Sequence, residues 1–245
     1  MNRTEPMVRA PRRTGTPRRS SAPTAARFLG AGAPRVGLLV GALLLAGCSA
    51  FSRPAPSGSL YLLAPDAPAR QEGASLGSVF VRRFSATPPF DDRPLLYRTT
   101  NGTWRADAYD GFAADPADMM TSALFSALEA SGRFSVVAAE GVTGRFDHDA
   151  EGTLEAFYAD YATGGAPEAV VRMRVYVVRR TGAVREVLSV LPVEARAPIA
   201  GDTAGAVVDA LSAATSEAMA KVVAALPKEP RATADAAVER PQKAG

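Results

Sequence analysis

One short apolar run constrains this chain more than any other feature. It extends from Val36 to Ala46, eleven residues that are all apolar or glycine, and Gly47 and Cys48 follow it. A helix that crosses a membrane needs about 20 apolar residues, so this run is too short to span a bilayer. Arginines precede the run, and small residues end it. This pattern is typical of the apolar core of an export signal.

The end of the run is more specific than a generic cleavage site. Leu45-Ala46-Gly47-Cys48 resembles the bacterial lipobox, in which the cysteine is lipidated and becomes the first residue of the mature protein. Cys48 is the only cysteine, so the chain cannot form an internal disulfide. We therefore predict residues 1–47 as a lipoprotein signal peptide and Cys48 as the lipid-attachment residue. A buried helix, or a plain secretory signal with an incidental cysteine, is the alternative interpretation.

The charge of the chain changes when this segment is removed. The whole chain has a net charge of +3, but residues 1–47 hold eight arginines and one acidic residue, Glu5. The remainder has 28 − 8 = 20 basic and 25 − 1 = 24 acidic residues, a net charge of −4. The excess of positive charge therefore belongs to the signal, and we predict no nucleic-acid partner.

The remaining 198 residues (245 − 47) are enough for one domain with a sizeable core. Residues 48–59 are predicted to be the lipidated N-terminus and a flexible tether, because they are rich in Ser, Pro and Gly. Residues 60–226 are predicted to be the folded domain. Residues 227–245 are rich in Pro, Ala and charge, which predicts a disordered tail.

Short apolar runs between turn signals predict the strands. Asn101-Gly102 between two such runs indicates a hairpin, and Thr181-Gly182 indicates a tight turn between the two longest strands. Pro192 suggests an edge strand or a strand end. The predicted segments are 60–63, 78–84, 95–99, 103–109, 134–138, 154–161, 169–180 and 184–195. In segment 169–180, one face is predicted to hold Val171, Met173, Val175 and Val177, and the other Arg172, Arg174, Tyr176 and Val178.

Two helices complete the predicted fold. Residues 115–132 have Asp115 to accept bonds from the first free amides, Pro116 at the first helical position and Gly132 for a left-handed cap. A second helix is predicted from Asp202 or Thr203 to about 226. We expect a single α+β domain, with a mostly antiparallel sheet of about six or seven strands and two main helices packed on one face. The predicted apolar stripes are Met119, Met120, Ala123, Leu124, Ala127 and Leu128 in the first helix, and Val207, Leu211, Ala214, Ala218, Val222 and Ala225 in the second.

The run from Val79 to Val137 contains a series of short motifs in a fixed order. They are Arg83-Phe84, Pro89-Phe90-Asp91, Leu96-Tyr97-Arg98, Tyr109 before Phe112, Pro116 with Met119-Met120 and Leu124, Ser131-Gly132-Arg133-Phe134, and Val136-Val137. In these motifs the chain resembles the ABC-type transport auxiliary lipoprotein family, and the likeness extends over about residues 60–226. Two positions depart from the family pattern: Phe112 stands where many members have tryptophan, and Asp115 replaces the first proline of a usual Pro-Pro pair.

The resemblance implies a part in moving lipid between the two membranes of a Gram-negative envelope. Transporters of this kind combine a permease, an ATPase and a periplasmic lipid-binding subunit. The lipoprotein would be their accessory, attached to a membrane through acyl chains on Cys48. Ser49 stands where an aspartate would favour inner-membrane retention, which favours the outer membrane. The sequence leaves open whether the chain forms a homo-oligomer.

Few residues could support catalysis. His148 is the only histidine and falls in a polar stretch that we interpret as a solvated loop, although a metal ligand or general base is the alternative. A zinc site needs three or four ligands, and a Ser-His-Asp triad would have to use His148. Gly164-Gly165 is not followed by the Lys or Ser of a phosphate-binding loop. We predict no metal, no cofactor and no enzymatic activity.

Two features have both a purely structural and a functional interpretation. Arg172, Arg174 and Tyr176 form either a solvated sheet face or a face for lipid head groups or an acidic partner. Met119 and Met120 either pack in the core or line a lipid groove.

Three functions therefore compete. The first is an accessory lipoprotein that docks on a mammalian-cell-entry-type lipid transporter. The second is a periplasmic lipid-binding carrier that acts on its own. The third is an envelope hydrolase, for which His148 is the only candidate base.

Overall fold

The structure is a computed structural model that describes residues 57–162 and 164–227. The predicted signal peptide, Cys48, most of the predicted tether and residues 228–245 of the predicted tail lie outside these residues. Those expectations stay predictions.

Nine strands and two helices make up the described part of the chain, which is an α+β fold. The helices are α1, Pro116–Ser131, and α2, Ala204–Ala224. The strands are β1 Leu60–Tyr61, β2 Ser78–Val81, β3 Ser85–Ala86, β4 Pro94–Arg98, β5 Trp104–Phe112, β6 Val136–Ala138, β7 His148–Asp160, β8 Glu168–Thr181 and β9 Val184–Pro198.

The long strand β7 organises the sheet. Along one edge it pairs with antiparallel β8, which pairs in turn with β9. Along its other edge three short strands follow one another, all parallel to β7: β2, β3 and β4. Strand β6 lies beside β2, and β5 followed by β1 lies beside β4.

The expected sheet of about six or seven mostly antiparallel strands is therefore inexact, because the observed sheet is mixed and larger. The described residues hold nine strands, and five of their eight strand pairs are parallel. The hairpins β4–β5 and β8–β9 and the β7–β8 pair are antiparallel, as local turn signals and alternation suggested. The parallel pairs join segments far apart in the chain, and strands of two residues carry no readable alternation.

Two predicted strands have different limits in the structure. Predicted segment 78–84 is shorter in the structure, where β2 ends at Val81. The amide of Phe84 donates instead to Thr121 Oγ1 of α1 at 2.9 Å. Strand β7 begins at His148, six residues before the expected start. Its first half alternates small or apolar residues with Asp149, Glu151 and Thr153, a signal that the charged side chains obscured.

The helix caps are partly as expected. Gly132 takes the predicted left-handed conformation with φ of 65°, and the hydroxyl of Thr203 accepts from the amide of Ala206 at 3.2 Å. The expected side-chain cap at Asp115 is wrong, since its carboxylate accepts no amide of α1. It pairs instead with Arg83 at 3.3 Å and Arg93 at 2.8 Å, because two guanidiniums outcompete a neutral amide.

Both helices pack on the same face of the sheet, over the main core. The predicted apolar face of β8 is confirmed, with Val171, Met173, Val175 and Val177 all buried. Every member of the predicted helix stripes is buried except Ala225, which is exposed. We call the other face of the sheet, which carries Arg82, Asp149, Glu151, Arg172 and Arg174, the open face.

Candidate functional site

The described chain begins near the predicted lipid anchor. Ser57 follows Cys48 by nine residues, which span at most about 30 Å when extended. The amide of Ser59 then donates to Asp110 Oδ1 at 2.8 Å, and β1 pairs with β5. Leu60 and Leu62 are 72% and 61% exposed at this entry point. Apolar side chains are therefore presented to solvent beside the tether.

A groove lies between α1 and the segment that follows β1. This segment, residues 62–67, is fastened to α2: the amide of Ala64 donates to Ser212 Oγ at 3.2 Å, and that of Asp66 to Ser216 Oγ at 2.9 Å. The space left beside α1 has a volume of about 410 Å³, within the size range of small-molecule sites. We call it the helix groove. Its lining includes Leu62, Pro65, Met119, Ser122, Ser126 and Met219.

The two methionines of α1 have different surroundings. Met120 is completely buried in the core, whereas Met119 is buried and also lines the helix groove, together with Met219 of α2. Core packing is thus confirmed for both residues, and one of them also adjoins an open space. Met219 was missed from the sequence because its place in the lining depends on how residues 62–67 lie against α2.

A buried carboxylate holds the open face together at one end of the sheet. Asp149 in β7 is 0% exposed, and three guanidiniums surround it: Arg82 at 3.1 Å, Arg180 at 3.5 Å and Arg185 at 3.6 Å. Glu151 lies beside it and pairs with Arg82 and Arg185. The cluster fastens the projecting end of the β8–β9 hairpin to β2 and β7. The sequence did not single out this carboxylate, because its partners lie far apart in the chain: Arg82 follows β2, Arg180 lies near the end of β8 and Arg185 near the start of β9.

The predicted charged row on β8 is paired across strands. Arg172 contacts Glu194 at 3.2 Å and Arg174 contacts Glu155 at 3.1 Å, with all four side chains partly exposed. Surface pairs of this kind contribute little to stability. The row is thus a solvated face whose charges are already partnered.

His148 is not a loop residue, so its predicted position is wrong. It is the first residue of β7, half-buried and 6.3 Å from the ring of Phe134. Burial lowers the pKa of its imidazole below the ordinary value of 6.5. Its neighbour Asp147 is committed elsewhere, because Oδ2 accepts from the amide and hydroxyl of Ser78, both at 2.8 Å. Those bonds lower the pKa of Asp147.

No group of three or more His, Cys, Asp or Glu side chains could hold a metal ion within residues 57–162 and 164–227. Over the same residues, neither helix has the length and apolarity that crossing a membrane requires.

These features define an α+β body that presents a groove beside its N-terminal entry point and a charged open face. Residues 61–223 match the family model of the ABC-type transport auxiliary lipoprotein component, and the chain belongs to this family. The match confirms the resemblance carried by the motifs between Val79 and Val137.

Comparisons with solved structures agree on the fold. A Xanthomonas campestris protein of the DUF330 family has a similar crystal structure, with 20% identity, a TM-score of 0.60, and coverage of 68% of this chain and 93% of that one. The crystal structure of an uncharacterized protein is also similar, with 12% identity, a TM-score of 0.55, and coverage of 69% and 98%. Identities this low show the fold alone. No curated protein matches the sequence.

Proposed function

We propose that this protein is a non-enzymatic accessory lipoprotein of an ABC-type, mammalian-cell-entry-type system that moves phospholipid between membranes. The observation that carries this proposal is the family match over residues 61–223, which names a transport auxiliary lipoprotein component. The lipobox ending at Cys48 supplies the attachment that such a component needs. Its partners are the membrane, through acyl chains on Cys48, and the periplasmic lipid-binding subunit of the transporter.

The proposed anchor is strong enough to be permanent. Each buried methylene contributes about 0.8 kcal/mol, so one acyl chain gives reversible binding and two or more hold the protein stably. Ser49 favours sorting to the outer membrane, where the body would face the periplasm. The protein would then act by position and contact with the transporter.

The anchor is tested by substituting the thiol. In Cys48→Ser, we expect no incorporation of labelled palmitate, an unprocessed signal and loss from the outer-membrane fraction. Ser49→Asp is the matched control, since it keeps the thiol and should retain labelling but move the protein toward the inner membrane. Palmitate label on the Cys48→Ser protein, or an unmodified sulfur in mass spectra of the wild-type mature terminus, would overturn the proposal.

The transport role is tested by capture of partners. After cross-linking in cells, wild-type protein should co-purify with a permease, an ATPase and a periplasmic subunit with one membrane span. Capture from Cys48→Ser cells should be much weaker, because the body is no longer held at the outer membrane. Equal recovery without the anchor would contradict an accessory role that depends on placement.

The helix groove favours a second candidate function, a carrier that transports lipid by itself. The two functions differ in their need for the transporter. Lipid transfer between vesicles by the purified lipoprotein alone would support the carrier, whereas transfer that requires the ATPase and permease supports the accessory role.

A further inference from the structure

The helix groove has the length and chemistry of a site for a hydrocarbon chain. On α1 it runs from Asp118 to Ser126, nine residues whose eight steps rise about 12 Å along the axis. Met119 and Met219 are buried in its floor, and Leu62 and Pro65 form part of the opposite wall. Methionine side chains are flexible and adapt to irregular apolar ligands.

The polar groups of the groove are few, and several are already satisfied. The hydroxyl of Ser122 donates to the carbonyl of Asp118 at 3.1 Å, and the carboxylate of Asp118 accepts from Arg83, which lowers the pKa of Asp118. Because Ser122 and Asp118 already have hydrogen-bond partners, the inside of the groove favours an apolar ligand over a strongly polar one.

The charge beside the groove favours some lipid head groups over others. Its lining contains two carboxylates and no lysine or arginine, but Arg83 neutralises the charge of Asp118, so Asp66 supplies the negative charge of the rim. An anionic head group beside exposed Asp66 would meet a like charge, whereas an ammonium group would meet an opposite one. The rim therefore suits a zwitterionic lipid whose head group carries an amine.

The position of the groove indicates where this lipid comes from. The wall at Leu62 begins five residues after Ser57, and nine residues separate Ser57 from the predicted lipid anchor. The groove thus lies on the part of the body where the tether enters, within reach of the bilayer that holds Cys48. Exposed Leu60 and Leu62 lie beside this entry point.

We propose that the helix groove binds one acyl chain of a zwitterionic, amine-bearing phospholipid from the membrane to which the protein is anchored. This inference rests on the proposed lipidation of Cys48. It extends the accessory role by giving the body its own contact with the transported class of lipid.

The test is photo-cross-linking of the full lipoprotein in phosphatidylcholine vesicles. The vesicles contain phosphatidylethanolamine with a diazirine at the end of one acyl chain, and mass spectrometry locates the label. We expect labelled peptides that contain Met119 and Met219. Phosphatidylglycerol with the same labelled chain should give several-fold less product; an equal or higher yield would overturn the proposed head-group preference.

Variants that fill the groove provide the matched comparison. Ser126 is exposed and lines the groove, so Ser126→Trp should reduce labelling roughly tenfold by excluding about two methylenes. Glu129→Trp adds the same ring at an exposed position of α1 outside the lining and should label like wild type. Ser122→Arg is a second groove variant, used if Ser126→Trp unfolds earlier than Glu129→Trp.

Three outcomes would overturn the groove assignment. They are label spread over other surfaces, wild-type labelling in both groove variants, and occupation of the groove by the protein's own anchor. The last is read from cells fed diazirine-labelled palmitate, where the Cys48 chain would cross-link to Met119 or Met219. The mass of the Cys48 peptide from the same samples reports lipidation separately, so a failed anchor and an empty groove are distinguished.

Discussion

The guanidinium of Arg133 donates to the carbonyl oxygen of Pro227 at 2.6 Å, although 94 residues separate them. The same nitrogen donates to the carbonyl of Ala74 at 3.2 Å. Arg133 is 1% exposed, so one buried side chain joins the loop before β2, the end of α1 and the end of α2. The Ser131-Gly132-Arg133 motif that contributes to the family resemblance therefore has a structural role.

Replacing Arg133 should weaken this junction. In Arg133→Met, two partly buried carbonyls lose a charged donor, so the free energy of unfolding should fall by about 2–4 kcal/mol. Urea unfolding measures the change. Arg105→Met, at an exposed position of β5, is the control and should change stability by less than about 0.5 kcal/mol. Similar losses in both variants would show that the two carbonyl bonds are unimportant.

Removing the charge of Asp149 should loosen the hairpin end of the open face. Asp149→Asn leaves three guanidiniums around a neutral amide, and breaking a buried pair in this way costs about 3 kcal/mol. Glu155→Gln removes the partly exposed partner of Arg174 and should cost at most about 1 kcal/mol. Hydrogen exchange should rise at residues 178–188 in the first variant only. Unchanged exchange there would contradict a clamping role for Asp149.

A close approach between β7 and the chain after β2 gives a steric prediction. A Cβ added to Gly152 would lie 2.1 Å from the ring of buried Phe84, so Gly152→Ala should lower stability by about 1–3 kcal/mol. The added methyl meets nothing within 4 Å at Gly165, and Gly165→Ala is the control. In the double variant Gly152→Ala/Phe84→Leu, thermal unfolding should show a loss smaller than the sum of the single losses. Additive losses would rule out this contact as the cause.

Half-burial of His148 predicts a pH dependence of stability. Because burial lowers its pKa in the folded state below the ordinary 6.5, the unfolded chain binds a proton between these two values that the folded chain does not. The free energy of unfolding should therefore be highest above about pH 6.5 and decrease as the pH falls through the folded-state pKa. The pKa of the imidazole also depends on the charges of Asp147, Asp149 and Arg179. A variant that changes His148 alone keeps these three residues in place.

His148→Gln measures this contribution. Thermal unfolding between about pH 8 and about pH 5 should show a smaller loss of stability in the variant than in wild type, since glutamine does not titrate. Parallel curves for the two proteins would mean that His148 is equally protonated in the folded and unfolded states.

Local elements of the fold were predictable because their signals lie within a few residues. The hairpin at Asn101-Gly102 and the buried alternation from Val171 to Val177 follow from neighbouring residues, as does the Gly132 cap. The split between β2 and β3 was not predictable, since it depends on Phe84 meeting Thr121 and Gly152.

The candidate site was also only partly predictable from the sequence. The position of Met119 on the apolar stripe of α1 could be predicted, and it is buried as expected. Met219 joins it in the helix groove only because residues 62–67 are bonded to Ser212 and Ser216, some 150 positions later. No local pattern indicates such a contact.

The sequence alone determined the family, the two helices and the prediction of Cys48 as the lipid-attachment residue. Each of these depends on a motif, or on a helical spacing of apolar residues, within one stretch of chain. Only the tertiary structure decided the parallel pairing along β7, the burial of Asp149 among three arginines and the groove beside α1. These depend on which distant segments come into contact, and that choice is made by packing of the whole core, which no single stretch records.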